Sequence, residues 1–226
     1  MTTENKDDVV LEENHAPTVP IPTADFAGTL FRKGRQIFIA FDTFQSDEPH
    51  TYIPKKCSIF DIGSATNIST YYVGPPFPWE QLSREVRKTN AYISHQITGL
   101  NWFEGDLPYD RFLMALLNHA QSADEIYTKG KNCVRYLSGL FGRPVLDIEP
   151  LMATMPKAII KQLRRDLPKM NCMFTYHERR FPFTPDHAKE YSCCQDRAFF
   201  YGHVIMHYLK SGDQKRINTV TEDTAV

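Results

Sequence analysis

The apolar residues of this 226-residue chain fall into short runs that are separated by polar segments. The run from Gln36 to Phe44 is apolar on both faces and rich in β-branched and aromatic residues, and it carries Asp42 near its end. Such a pattern is typical of a central strand that is buried on both sides. Ligands of open α/β sheets bind outside the carboxyl ends of the strands, so Asp42 is either a functional carboxylate or an aspartate that opens a turn.

Further apolar runs predict the rest of a sheet. After a polar loop over 45–56, the runs 57–63 and 68–73 are joined by a tight turn, which predicts an antiparallel meander with the first strand. Runs at 125–128 and 144–148 predict two later strands. Helical patterns cover residues 79–88, 107–122, 132–141, 149–167 with a break near Pro156, and 186–210. The order predicts an α/β fold with a mixed five-stranded sheet, in which a three-stranded meander is followed by parallel crossovers between flanking helices.

Composition divides the chain into one domain and two ends. Residues 1–30 and 213–226 lack periodicity and predict a disordered leader and a disordered tail, which leaves 31–212 as the folded domain. The five cysteines are an odd number in a chain with no recognisable signal peptide, which favours reduced thiols and an intracellular place, in the cytoplasm or the nucleus. No run approaches the roughly 18 apolar residues of a membrane span.

The net charge of −1 means that any nucleic-acid site must be a local patch. A candidate patch lies in the last third of the chain, where it is either a phosphate-binding face or an ordinary solvated surface. Its members are Lys157, Lys161, Arg164, Arg165, Arg179 and Arg180.

Two segments resemble the DEDDh exonucleases, a branch of the ribonuclease H-like fold. Residues 94–99 (SHQITG) are similar to a His-Gly-Ile-Thr-like turn of that family, and residues 128–136 (TKGKNCVRY) are similar to its Gly-His-Asn-x-x-Phe-Asp segment. Together with the element order, the resemblance covers about residues 36–210. It implies a ribonuclease H-like sheet, nucleic acid as ligand, and a site in which four carboxylates hold two divalent metals beside a general base.

This chain departs from the family pattern at three of those five positions. Asp42 and Asp196 stand where the family has carboxylates, whereas Phe44 and Tyr136 replace the other two, and Tyr191 replaces the histidine base. The resemblance therefore implies a remnant catalytic set of Asp42, Asp196 and Tyr191 and an exonuclease that has lost its activity, with Mg²⁺ or Mn²⁺ not expected. The alternative is an active nuclease with a rearranged metal site.

Cysteine and histidine residues near the end of the domain suggest a structural zinc. Cys172, His177 and either Cys193 or Cys194 supply ligand types that zinc prefers, with Glu149 as a candidate fourth ligand. The alternative is that the cysteines are buried thiols on an apolar helix face. Missing carboxylates combined with such a set resemble the Maelstrom domain of the piRNA pathway, which implies one structural zinc.

Three functions remain open at this point. The first is a decayed exonuclease domain kept as an RNA-binding or scaffold module, with small-RNA silencing as its setting. The second is an active nuclease with a non-standard site, and the third is a protein-interaction domain that binds no nucleic acid. The expected partners are RNA or single-stranded nucleic acid and other proteins, and no membrane.

Overall fold

The computed structural model describes residues 34–49, 51–64, 66–168, 170 and 193–223, with side chains up to residue 212. All of these residues belong to one compact unit, Arg32–Val226. The leader predicted over residues 1–30 lies outside the described residues.

The sheet has five strands, and its centre is the strand that the apolar pattern predicts. The strands are β1 (Gln36–Gln45), β2 (Tyr52–Asp61), β3 (Ile68–Tyr72), β4 (Glu125–Thr128) and β5 (Leu146–Asp147). Their order across the sheet is β3-β2-β1-β4-β5. The pairs β1–β2 and β2–β3 are antiparallel, while β1–β4 and β4–β5 are parallel. This mixed sheet confirms the predicted ribonuclease H-like α/β fold.

Helices connect and cover the strands. They are α1 (Arg84–Tyr92), α2 (Tyr109–Gln121), α3 (Lys131–Phe141), α4 (Glu149–Thr154), α5 (Lys157–Asp166) and α6 (Cys194–Asp223). The predicted break near Pro156 is confirmed, because that residue precedes α5 and separates it from α4. None of the helices in the described part of the chain is long and apolar enough to cross a membrane.

The last helix continues beyond its predicted end at residue 210. It runs to Asp223, so the segment 213–223, for which the sequence predicted no regular structure, is helical in its backbone. The boundary of the folded domain at residue 212 stays a prediction.

Alternate residues of β1 face two different layers. Ile37, Ile39 and Phe41 pack with buried residues of α2 and α3, such as Phe112 and Leu137. The opposite face of the same strand contacts α6, where the ring of Phe38 lies 5.6 Å from that of Tyr201. Asp42 follows the alternation of the second set, so it is delivered to the α6 face of the sheet.

The predicted polar loop over 45–56 is wrong in its second half, because β2 begins at Tyr52. Asp42 pairs with Lys56, whereas Thr43 pairs with Pro54, so Lys55 is an extra residue on β2 and forms a bulge. The bulge accommodates Pro54, which has no N–H for a regular ladder. Two adjacent lysines and a proline look like a loop in sequence, but both lysines are fully buried here.

Candidate functional site

Asp42 lies near the carboxyl end of β1, at the bulge, and is only 4 % exposed. Its Oδ2 accepts a hydrogen bond of 3.1 Å from the backbone N–H of Cys194, in the first turn of α6. Its Oδ1 accepts one from the guanidinium of Arg197, which also donates to the carbonyl of Phe41 at 2.5 Å. The start of a helix and an arginine therefore bind both carboxylate oxygens.

Two cysteines at the start of α6 complete a group of possible metal ligands with this aspartate. One ligand atom from each of Asp42, Cys193 and Cys194 lies within 4.8 Å of the others, and all three residues are buried. Carboxylate oxygen and cysteine sulfur are both zinc ligands. Within the described residues, the group thus offers three donors to one ion.

The thiols also have partners in the protein. Lys56 donates from Nζ to the Sγ of Cys193 at 2.8 Å, and the N–H of Gln195 reaches the same sulfur at 3.4 Å. The Sγ of Cys194 lies 3.3 Å from the hydroxyl of Ser58. The two sulfur atoms are therefore held by different neighbours on β2.

Burial controls the protonation of the groups in this site. It raises the pKa of Cys194 well above the ordinary value, and the nearby Cys193 and Asp42 act in the same direction. Burial opposes the charge on Arg197, but Asp42 together with the two cysteines and Tyr201 outweighs it, and the pKa of the guanidinium is raised. At neutral pH, Cys194 is a neutral thiol and Arg197 is a cation beside Asp42.

Asp196, the second predicted carboxylate, lies in the same turn of α6. In the chain, Asp196 lies between Cys194 and Arg197, the two residues that donate hydrogen bonds to Asp42. Its own Oδ1 accepts a hydrogen bond from the backbone N–H of Met170 at 3.1 Å. The structure thus places Asp196 on the helical turn that contacts Asp42, and fixes its side chain to the segment that follows α5.

Aromatic side chains replace the other two carboxylates of the family pattern. Phe44 is 1 % exposed, and its ring lies 5.7 Å from that of Trp102. The ring of Tyr136 lies 6.1 Å from that of Phe41. Burial and the neighbouring Tyr109 raise the pKa of Tyr136, so its hydroxyl stays protonated. Neither residue supplies an oxyanion at neutral pH.

The other predicted site residues lie elsewhere or outside the described part of the chain. Glu149, at the start of α4, pairs with Lys129 at 3.6 Å and is not a member of the aspartate and cysteine group. The four basic residues on α5 are exposed: Lys157, Lys161, Arg164 and Arg165. The predicted residues outside the described part are Cys172, His177, Arg179, Arg180 and Tyr191.

Sequence reasoning missed two cations of the site, Lys56 and Arg197. A signal for Lys56 was present, because the apolar residue Ile53 lies upstream of the predicted strand start at Cys57 and is buried like it. The signal for Arg197 was its position directly after Asp196, which is the last carboxylate position of the family pattern and lies on the first turn of a helix.

The strand order and the strand pairing define an α/β domain with a ribonuclease H-like fold. No family model matches the sequence, and no curated protein matches it. Among solved structures, the chain is similar to the nuclease domain of 3′hExo, a DEDDh family member, bound to rAMP. The two share 13 % sequence identity and a TM-score of 0.40, over 79 % of this chain and 92 % of the other.

Proposed function

We propose that this domain is a catalytically inactive exonuclease-like domain that acts as an RNA-binding or scaffold module, with small-RNA silencing as its setting. The observation that carries the proposal is that groups of the protein already bind the carboxylate of Asp42. Its two oxygens already accept hydrogen bonds from Arg197 and from the N–H of Cys194. An arginine beside the carboxylate repels a hydrated Mg²⁺ or Mn²⁺, and the carboxylate is too buried to receive such an ion with its shell of water.

The count of ligands supports the same conclusion. Two-metal catalysis needs carboxylates that hold two ions roughly 4 Å apart. Phe44 and Tyr136 cannot supply them, and sulfur from Cys193 and Cys194 is a poor ligand for Mg²⁺. The domain therefore keeps the sheet and the first aspartate of a nuclease without the donors that its chemistry requires.

A nuclease assay tests the loss of activity. A 3′-labelled single-stranded RNA and a DNA of the same sequence are incubated with the purified chain and either Mg²⁺ or Mn²⁺. We expect no digestion by the wild type. Cleavage that Asp42→Asn combined with Asp196→Asn abolishes, in a variant whose circular dichroism is unchanged, would overturn the proposal and favour a rearranged active site. Cleavage that this variant retains would instead indicate a contaminating nuclease.

The exposed face of α5 is the proposed contact for nucleic acid. Lys157, Lys161, Arg164 and Arg165 are exposed on one short helix, and the helix has no buried residues. Arg164 lies over the ring of Phe200 at 5.5 Å, which connects α5 to α6. Phosphate contacts from such a face need no metal, so binding can persist in a domain that has lost catalysis.

The dependence of RNA affinity on salt tests this surface. Lys157→Ala combined with Lys161→Ala should weaken binding for all sequences and reduce the slope of log K against log salt by about 1.4, because each single-strand phosphate contact contributes about 0.7. The matched control is Arg84→Ala combined with Arg111→Ala, which removes two exposed cations from other helices. Equal loss in both variants would show that net charge alone determines binding. No RNA binding by the wild type would favour a protein-interaction domain.

A structural zinc is proposed at the same site as a separate property. The donors fit zinc, because Asp42, Cys193 and Cys194 bring one oxygen and two sulfurs together. Cys172 and His177 are the predicted sources of a further ligand. Elemental analysis by mass spectrometry should find about one zinc per chain, and Cys194→Ser should lower both the zinc content and the melting temperature. A zinc-free chain that unfolds at the same temperature with and without a chelator would refute this proposal.

A further inference from the structure

Lys56 and Cys193 form a buried pair, and the proposed function uses the sulfur of Cys193 as a zinc donor but not its contact with Lys56. The amine nitrogen lies 2.8 Å from the sulfur, the lysine is 0 % exposed, and the cysteine is 2 % exposed. The two residues are 137 positions apart, so the pair joins β2 to the start of α6. We propose that this pair is a site of oxidative cross-linking, in which one oxygen atom bridges the lysine nitrogen and the cysteine sulfur.

The distance between the two atoms carries the proposal. Sulfur is larger than oxygen, so a hydrogen bond from nitrogen to sulfur is ordinarily longer than the about 2.9 Å of one to oxygen. The nitrogen of Lys56 and the sulfur of Cys193 are 2.8 Å apart, which is shorter than such a hydrogen bond but too long for a direct nitrogen–sulfur bond. A single bridging oxygen spans such a gap with little movement. Because both side chains are packed in the interior, they cannot easily separate to another geometry.

The neighbouring thiol is a poorer partner for an oxidised Cys193. The Cα atoms of adjacent residues are about 3.8 Å apart, whereas disulfides usually join Cα atoms about 4.4 to 6.8 Å apart. The sulfur of Cys194 lies against Ser58 at 3.3 Å, while Cys193 lies against Lys56. The geometry therefore favours the lysine over Cys194 as the group that captures the oxidised sulfur.

The reaction balances with dioxygen as the oxidant. After the lysine loses its ammonium proton, the amine, the thiol and one dioxygen give R–NH–O–S–R′ and one water. One N–H bond, the S–H bond and the O–O bond break, and one N–O and one O–S bond form. Nitrogen and sulfur are oxidised, dioxygen is reduced, and its second oxygen leaves as water with the two released hydrogens. Two equivalents of a dithiol reductant supply four electrons, which restore the amine and the thiol and release the bridging oxygen as water.

Intact-mass spectrometry of the full chain tests the proposal. The chain is kept under argon, under air, or under ¹⁸O₂, and then denatured in acid. The bridge adds one oxygen and removes two hydrogens, so we expect a gain of about 14 Da under air that a dithiol reverses, in contrast to the successive oxygen additions of cysteine oxidation. Under ¹⁸O₂ the gain should be about 16 Da, because the bridging oxygen then comes from the labelled gas. Peptide mapping should find Lys56 and Cys193 in one linked species.

Variants separate the bridge from other oxidation. Lys56→Arg and Cys193→Ser should both lose the gain, whereas Cys133→Ser, which removes a partly buried thiol on α3, should keep it. A gain that persists in Lys56→Arg, a loss of two hydrogens without oxygen, or an unchanged mass in the oxidised wild type would each overturn the proposal. The mapping of the wild type decides the question even if Lys56→Arg does not fold.

Discussion

Lys55, the extra residue of the bulge on β2, should make the stability of the domain depend on alkaline pH. Its side chain is 0 % exposed, and Nζ donates to the carbonyls of Trp102 at 2.9 Å and Glu104 at 2.5 Å. The ring of Tyr72 lies 5.5 Å from the same nitrogen. Burial lowers the pKa of Lys55 from 10.5 to about 8, and the charge of Glu104 opposes this only in part.

The direction of the effect follows from proton binding in the two states. Between pH 8 and 10.5 the unfolded chain keeps the proton on Lys55, while the folded chain releases it. Stability rises with pH wherever the unfolded state binds more protons. Each pH unit in that window contributes up to about 1.4 kcal/mol, so the whole window contributes about 3 kcal/mol. Below pH 8 the cost of burying the charged amine is constant.

Urea unfolding of the wild type and of Lys55→Met at pH 7.5, 8.5, 9.5 and 10 measures this contribution. Other groups that titrate in the window are common to both proteins, so they cancel in the difference. The free energy of unfolding of the wild type should rise relative to that of Lys55→Met by about 2 kcal/mol between pH 8 and 10. Lys88→Met, at a side chain that is 60 % exposed, is the control and should run parallel to the wild type. Parallel curves for Lys55→Met would refute the reasoning.

Two further predictions concern packing and charge on the α6 face. Asp42→Asn should lower the free energy of unfolding by about 2 to 3 kcal/mol in urea, less than the 3 to 5 kcal/mol of a fully buried pair because the side chain of Arg197 is 31 % exposed; a change below 0.5 kcal/mol would contradict the charge pairing. Gly202→Ala should cost about 1 to 3 kcal/mol, because the added Cβ would lie 2.1 Å from Cδ1 of Phe60. Gly139→Ala, whose Cβ meets nothing within 4 Å on α3, should leave stability unchanged or raise it, and an equal loss in both alanine variants would exclude the clash as the cause.

The pattern of apolar residues was sufficient to predict the sheet, but it did not predict where the second strand begins. β1 could be predicted because a run that is apolar on both faces is typical of a strand that is buried on both sides of a sheet. The start of β2 could not, because the burial of Lys55 and Lys56 depends on acceptors that are distant in the chain. Lys55 donates to the carbonyls of Trp102 and Glu104, and Lys56 donates to the sulfur of Cys193. Local composition carries no information about such partners.

The same limit applies to the candidate site. The family pattern predicted Asp42 and Asp196 as site residues, and in the structure Asp196 lies in the first turn of α6, from which the N–H of Cys194 donates to Asp42 on β1. The pattern could not show that Asp42 is bound to Arg197, because an ion pair between residues 155 positions apart is a property of the folded chain. Glu149 was predicted as a candidate fourth zinc ligand, and its pairing with Lys129 is likewise visible only in three dimensions.

The ion pair between Arg197 and Asp42 bears on the proposed loss of the catalytic metals. A buried carboxylate is costly unless a positive charge compensates it, and in a two-metal site the ions provide that charge. Here the guanidinium of Arg197 lies beside Asp42, while Lys56, the register partner of Asp42 on β2, donates to Cys193. Since Arg197 belongs to the chain, the charge of Asp42 has a partner that is neither Mg²⁺ nor Mn²⁺. Under the proposed loss of catalysis, Phe44 and Tyr136 at the other two family positions add no negative charge that a metal would have to offset.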